Sequence, residues 1–432
     1  MDPEFLALLN RHADPAVPDV AVASLDGGTL RTASWGRPPG TLFQAASISK
    51  PVTALAALVL VKRGTLNLDE DVNLKLRSWK LPTPPDWPGR ITLRHLLSHG
   101  AGLTVKAFPG YPIGTKLPDL PAVLDGRAPA NTAPVRITGL PGLVPRYSGG
   151  GYTVLQQLME DVTRTALPEL VADLVLRPAR MTNAQFVAPE PEVAAPGVSH
   201  GQPVPGGWRT YPELAAAGLW CTPTDLVRFA AAVQACVAGA KDALLPPQLA
   251  ADLVTEQLRG WGLGIELAGT AKGRRFGHSG SNIGYRCEVT ATVAAGPAIA
   301  VMTASDRGGE VIRTLLPAVR KALAWPDPLA LTPGPATEPD LVPPNAMTLL
   351  PKLYAGTYET DRGTILTLDG SGWSWALTVP GQPPLPLEAR SKTLVTSAAP
   401  RVDVTFRLDP SSGRALSLTL TQDGEAIGAV RK

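Results

Sequence analysis

A chain of 432 residues runs longer than one domain usually does, so two or more domains are expected. Hydrophobic residues at 44% and charged residues at 18% exclude a disordered chain. The net charge of +3 is small for this length, and no basic run carries interleaved aromatics, so nucleic acid is not an expected partner.

The chain opens with a short helix and then a hairpin. Val20 to Leu25 and Thr29 to Trp35 flank Asp26-Gly27-Gly28, whose glycines permit positive φ. A helix is predicted from near Ala46 to Lys62, stopped by Gly64, and Pro51 fits it only in the first turn. Ile91 to Gly100 reads as a second helix. Thr104 to Pro145 is rich in Pro and Gly, the pattern of a functional loop or lid. Helix is predicted again over Gly151–Ala166 and, in large part, over Pro212–Ala238. Strands follow at Arg274–His278, Tyr285–Val293 and Pro297–Ala304, then a helix from Gly309 to Ala324. Strands at both ends of this region and helices between them predict an α+β fold: an antiparallel sheet flanked by helices, with a mainly helical subdomain.

Seven prolines between Trp325 and Pro344 mark a linker. Beyond it, short alternating runs such as Ile365-Leu366-Thr367-Leu368 predict a small all-β domain, a barrel. The expected division is 1–325, a Pro-rich linker at 326–344, and 345–432. No apolar run approaches the roughly 20 residues that span a bilayer, so no membrane span is expected. Met1 to Phe5 has neither the basic nor the apolar region of a signal peptide. As written the chain reads as cytoplasmic; the alternative is a cloning remnant standing where a signal was trimmed. Cys221, Cys236 and Cys287 match no zinc pattern and no disulfide framework, and read as buried thiols.

Three pieces carry chemistry. Ser47 and Lys50 are three apart at a helix start, so their side chains share a face. A serine hydroxyl needs a base, and lysine is one when burial and cationic neighbours lower its pKa. Tyr147, in Tyr147-Ser148-Gly149-Gly150-Gly151, precedes a helix; near cationic groups it is expected to lose its proton more readily and to shuttle one. His278-Ser279-Gly280-Ser281 closes a strand, where open backbone can meet a substrate. His95 and His99 lie four apart without the glutamate of a metal-binding pair, and structural or capping roles are expected for both. Trp208, Tyr211 and Trp220 read as core more readily than as pocket lining.

In order and spacing the three pieces resemble the serine β-lactamase and penicillin-binding protein superfamily. The branch most resembled is related to class C β-lactamases and includes family VIII carboxylesterases, D-aminopeptidases and D,D-carboxypeptidases. Ile91 to Leu103 and Ala215 to Trp220 extend the likeness, which covers roughly Phe5 to Trp325; the C-terminal part resembles an appended lipocalin-like barrel. The resemblance implies that Ser47 forms an acyl-enzyme and that Lys50 and Tyr147 share the base and acid roles. It implies an oxyanion hole from the backbone N–H groups of Ser47 and Ser281, and no metal or organic cofactor.

Two departures bear on substrate. Gly149 stands where the branch commonly has asparagine, whose amide binds the substrate's side-chain amide. His278 stands where β-lactamases and many D,D-peptidases have lysine, a permanent cation for a substrate carboxylate. His278, Gly149 and Gly280 are therefore the further candidate site residues. The expected activity is hydrolysis of a small ester or amide. The alternatives are a D-residue peptidase, an acyltransferase, a β-lactamase or D,D-carboxypeptidase, and, from another class, a binding or sensor protein.

Overall fold

The alternation at Val20–Asp26 (β1) and Thr29–Trp35 (β2) does form a hairpin, turning through Gly27 and Gly28 at φ +54° and +84°. The computed structural model describes residues 1–84, 89–269, 273–325, 351–371, 374–391, 393–398, 400–422 and 424–432. The remaining strands of the main sheet come late in the chain: Glu266–Ala268 (β3), Arg275–Asn282 (β4), Tyr285–Thr292 (β5) and Ala298–Thr303 (β6). The sheet order is β2-β1-β6-β5-β4-β3, so the two ends of the domain meet where β1 pairs with β6, antiparallel.

Every residue of β6 is buried, because helices cover both faces of the sheet. Successive side chains divide between the faces. Val20, Val22, Ile299 and Val301 join Phe5, Leu9, Ile312 and Leu315 of the outer helices Pro3–His12 (α1) and Gly308–Ala322 (α7). Ala21, Ala23, Ala298 and Ala300 face the large inner core. There lies Ser49–Lys62 (α2), apolar on every side and buried from Ser49 to Leu60.

The intervening helices depart from expectation in instructive ways. Leu93–Leu97 (α3) is shorter than the run from Ile91 to Gly100, because Thr92 and His95 cap it: each backbone N–H donates to the other's side chain, at 3.3 Å. Gly149–Thr163 (α4) starts two residues early, capped by Ser148. The long helix expected over 212–238 is two helices, Leu214–Ala217 (α5) and Pro223–Val237 (α6). Between them Trp220–Cys221 pairs with Phe43–Gln44. Thr222 and Asp225 form a capping box that starts α6 afresh at Pro223.

The expected linker over 326–344 lies outside the described residues. Beyond it, eight antiparallel strands from Gly356 to Arg431 close into a barrel. Its interior is filled by Tyr358, Leu366, Leu377, Val404 and Leu418, all at most 1% exposed. Two buried glutamines fasten the barrel to the main domain. Gln382 accepts from Arg90 N–H at 3.0 Å and donates to Arg90 O at 2.9 Å. Gln422 accepts from Leu140 N–H and donates to Thr138 O, both at 3.0 Å. Arg259 and Glu425 add an ion pair at 3.1 Å. No helix among the described residues is long and apolar enough to cross a membrane.

Candidate active site

Ala46 holds φ at +50°, a conformation that costs a non-glycine residue about 1–3 kcal/mol. It bends the chain from the Phe43–Gln44 strand into a single 3₁₀ turn, Ala46–Ile48, and so places half-buried Ser47 just before α2. Ser49 pins this turn: its hydroxyl donates to Ala46 O at 2.6 Å and accepts from Leu219 N–H at 2.9 Å. Pro51 sits in the first turn of α2, as its missing N–H requires.

Lys50 is 2% exposed. Its Nζ donates to Ser47 Oγ at 3.0 Å and to Ala216 O, on α5, at 2.8 Å. Among the described residues no carboxylate pairs with it. Burial alone pulls its pKa down to about 7, so near neutrality a large share of Lys50 is the free amine. Tyr147 completes the group with a side-chain hydrogen bond to Ser47. Its ring lies 5.0 Å below Lys50 Nζ. The sequence suggested a tyrosine that loses its proton readily, but burial pushes Tyr147 up to about 12, against a smaller opposite effect of the Ser47 bond. Tyr147 rests as a neutral phenol, and Lys50 is the group that can accept a proton.

His99 is the residue that sequence reasoning missed. It is not on α3 beside His95; the helix has ended, and His99 stands at φ +57°. Its carbonyl accepts from Arg146 N–H at 2.7 Å and its Nδ1 from Ser148 N–H at 3.2 Å, so it grips the chain on both sides of Tyr147. Its ring lies 4.4 Å from that of Tyr147 and 4.5 Å from that of Trp261. Since Nδ1 accepts, the ring is the neutral Nε2–H tautomer; burial and then Lys50 hold its pKa well down. The signal in the sequence was its place after the helix stop, directly before Gly100-Ala101-Gly102. His99→Ala is expected to lower kcat by about 10²-fold through misplacement of Tyr147, with the thermal transition still cooperative; stopped-flow acylation and calorimetry measure the two.

On β4, His278, Gly280 and Asn282 are buried while Ser279 and Ser281 are exposed. His278 Nδ1 bonds Ser279 O at 2.5 Å, and its Nε2 has no partner. Burial, then Lys50, press its pKa down to about 3. This imidazole is neutral in any ordinary buffer and supplies no charge for a carboxylate. Asn282 donates to Gln44 Oε1 at 2.8 Å and to Ala217 O at 3.2 Å, joining sheet, nucleophile turn and α5.

Two sequence candidates stand where neighbouring chain leaves no room for a side chain. A Cβ at Gly280 would stand 2.3 Å from both Ala45 O and Cys287 Sγ, so glycine lets β4 lie against the turn that carries Ser47. At Gly149 a Cβ would meet the Phe108 ring at 2.7 Å, and Gly149 N–H donates to Lys106 O at 3.1 Å. Ser281, one residue beyond Gly280, pairs with Arg286 across the sheet.

Beside Tyr147 a cleft of about 400 Å³ opens between Thr104–Lys106, Arg146 and two barrel residues, Gln422 and Glu425. The barrel therefore walls the approach to Tyr147. Behind α5, Glu213 is fully buried, and neither carboxylate oxygen has a partner on another residue. Burial raises its pKa to about 7. An unfolded glutamate ionises near 4.5, so the folded protein holds this proton more tightly, and stability falls as pH rises from about 4.5 through 7. Glu213→Gln is accordingly expected to raise Tm more at pH 8 than at pH 5. Cys221, Cys236 and Cys287 are free and buried. Among the described residues no group of three or more His, Cys, Asp or Glu could hold a metal.

The family described as Beta-lactamase matches residues 7–324. The chain belongs to this family. Esterase EstB of Burkholderia gladioli is 35% identical to it over 181 residues, 39% of this chain and 45% of that protein. The match thus spans under half the length of this curated relative. The fold is also that of SurE (TM-score 0.59, 22% identity, 99% of this chain and 97% of that one). It is shared with the D-amino acid amidase of Ochrobactrum anthropi SV3 (TM-score 0.58, 18% identity, 74% of this chain and 98% of that one). The latter was solved with L-phenylalanine amide.

Proposed function

We propose that this β-lactamase-family chain is a serine hydrolase that cleaves small esters or amides through an acyl-enzyme on Ser47. One observation carries the reading: Ser47 Oγ accepts from Lys50 Nζ at 3.0 Å and shares a side-chain hydrogen bond with Tyr147, in a buried setting that brings the lysine near neutrality. Neutral Lys50 takes the hydroxyl proton as Ser47 Oγ bonds to the substrate's carbonyl carbon. The oxyanion is held by the backbone N–H groups of Ser47 and Ser281. When the intermediate collapses, the bond to the alkoxide or amine breaks, and the leaving group receives a proton through Tyr147 from Lys50. Water then attacks the acyl-enzyme ester, giving its proton to the same pair; the bond from the acyl carbon to Ser47 Oγ breaks, the acid leaves, and Ser47 Oγ takes that proton back.

The neutral His278 favours substrates whose binding needs no carboxylate at that point, which argues against a typical β-lactamase. The name of EstB supports an ester and that of the amidase an amide bearing a D-residue; both belong to the proposal. The test is intact-protein mass spectrometry after mixing with p-nitrophenyl esters, D-amino acid amides and penicillin. The expected result is an acyl mass on the parent and none on Ser47→Ala, whose turnover falls by at least about 10³-fold. Undiminished turnover by Ser47→Ala would overturn the assignment, and rapid acylation with rapid clearance of penicillin would restore β-lactamase activity.

A further inference from the structure

Trp208, Tyr211 and Trp220 are core residues in one respect: each is at most 5% exposed. Yet all three also line a cavity of about 300 Å³, within the range of small-molecule sites. Leu117 and Phe186 add to its apolar wall. The cavity opens next to the nucleophile turn: Gln44, three residues before Ser47, forms part of it. Two hydrogen-bond donors along this wall, Trp208 Nε1 and Arg209 Nε, are buried and have no partner among the described residues. Neither group can accept a hydrogen bond, so each calls for an acceptor. Arg209 is also the only charged residue among those lining the cavity, and no ion pair among the described residues involves it. Its position is fixed by the backbone: Arg209 O accepts from Gln44 Nε2 at 2.8 Å, and Arg209 pairs with Pro112 in a short two-stranded sheet.

We infer that this cavity is a binding subsite for an amphipathic carboxylate, with the hydrocarbon part against Phe186 and Trp220 and the carboxylate on Arg209 and Trp208. The inference rests on the hydrolase reading only in making the ligand part of a substrate. It gives this chain, at Arg209, a permanent cation that His278 does not supply. A guanidinium suits a carboxylate because it offers parallel donors in a fixed plane. The apolar wall accounts for the remainder of the ligand.

The experiment titrates full-length Ser47→Ala with decanoate and with decanol, following tryptophan fluorescence, so that binding is read without turnover. Decanoate is expected to bind saturably and at least tenfold more tightly than decanol. Arg209→Gln is expected to remove that difference while leaving decanol binding in place. Ala188→Trp, an exposed position on the rim, is expected to weaken both ligands. Equal binding of decanoate and decanol, an Arg209→Gln variant that keeps the preference, or non-saturable binding would each overturn the inference. Acylation of Ser47 by p-nitrophenyl acetate is measured separately on the parent, so a failed subsite and a failed nucleophile give different results.

Discussion

Replacing Lys50 by methionine is expected to lower kcat/KM on a p-nitrophenyl ester by about 10²–10⁴-fold, the usual worth of a positioned general base. Methionine keeps most of the buried stem and removes the group that takes the Ser47 proton. The parent has a matching pH signature. Its lysine must be unprotonated to act, and burial sets its pKa at about 7. Below that value kcat/KM is expected to fall tenfold per pH unit, and above it to level off. A limb found near pH 10 would mean that Lys50 is solvated and not the base. The same burial fixes the sign of a stability effect. An unfolded lysine keeps its proton to about 10.5, so between 7 and 10.5 the unfolded chain binds more protons and the parent gains stability as pH rises. The Tm advantage of Lys50→Met over the parent is therefore expected to be largest at or below pH 7 and to shrink toward pH 10.

Gly280→Ala is expected to be nearly as damaging, although the added group touches no substrate. The methyl would lie 2.3 Å from Ala45 O and equally close to Cys287 Sγ. Ala45 O is already engaged, accepting from Ile48 N–H at 3.0 Å and from Cys287 Sγ–H at 3.0 Å. Either β4 moves away or the turn bearing Ser47 does. Overpacking of this kind costs about 1–3 kcal/mol, and a displacement near 1 Å in an active site costs about 10²-fold in rate. Calorimetry and burst-phase acylation together measure both losses. A variant with parental Tm and parental burst would show that strand and turn do not touch in this way.

What could be read from the sequence was what is local or periodic. The hairpin at Gly27-Gly28, the helix after Ser47 and the alternation in the barrel follow from turn chemistry and spacing. Ser47, Lys50 and Tyr147 were legible because their order matches a known arrangement, and the structure brings them together. The parts that were not legible depend on backbone groups and on contacts far apart in the chain. Lys50 is anchored by the carbonyl of Ala216, 166 residues away, and alanine announces nothing. His99 acts through a left-handed backbone, which the expectation of one helix from Ile91 to Gly100 concealed. Gly149 and Gly280 stand out in the sequence through their motifs, but the neighbouring chain that a Cβ would strike at each comes from elsewhere in the sequence and is not announced there.

Gln382 and Gln422 bear on what happens when the chain is cut. Each satisfies one donor and one acceptor of the main domain's backbone, and both are at most 8% exposed. Pulling the barrel away would break four hydrogen bonds to backbone and exchange them for bonds to water, a net loss of about 0.5–1.5 kcal/mol each. A protease site engineered between residues 326 and 344 is thus expected to yield two fragments that elute together and still hydrolyse ester. The connection between the domains would be dispensable once folding is done, and this protein would be a natural template for a two-fragment complementation pair.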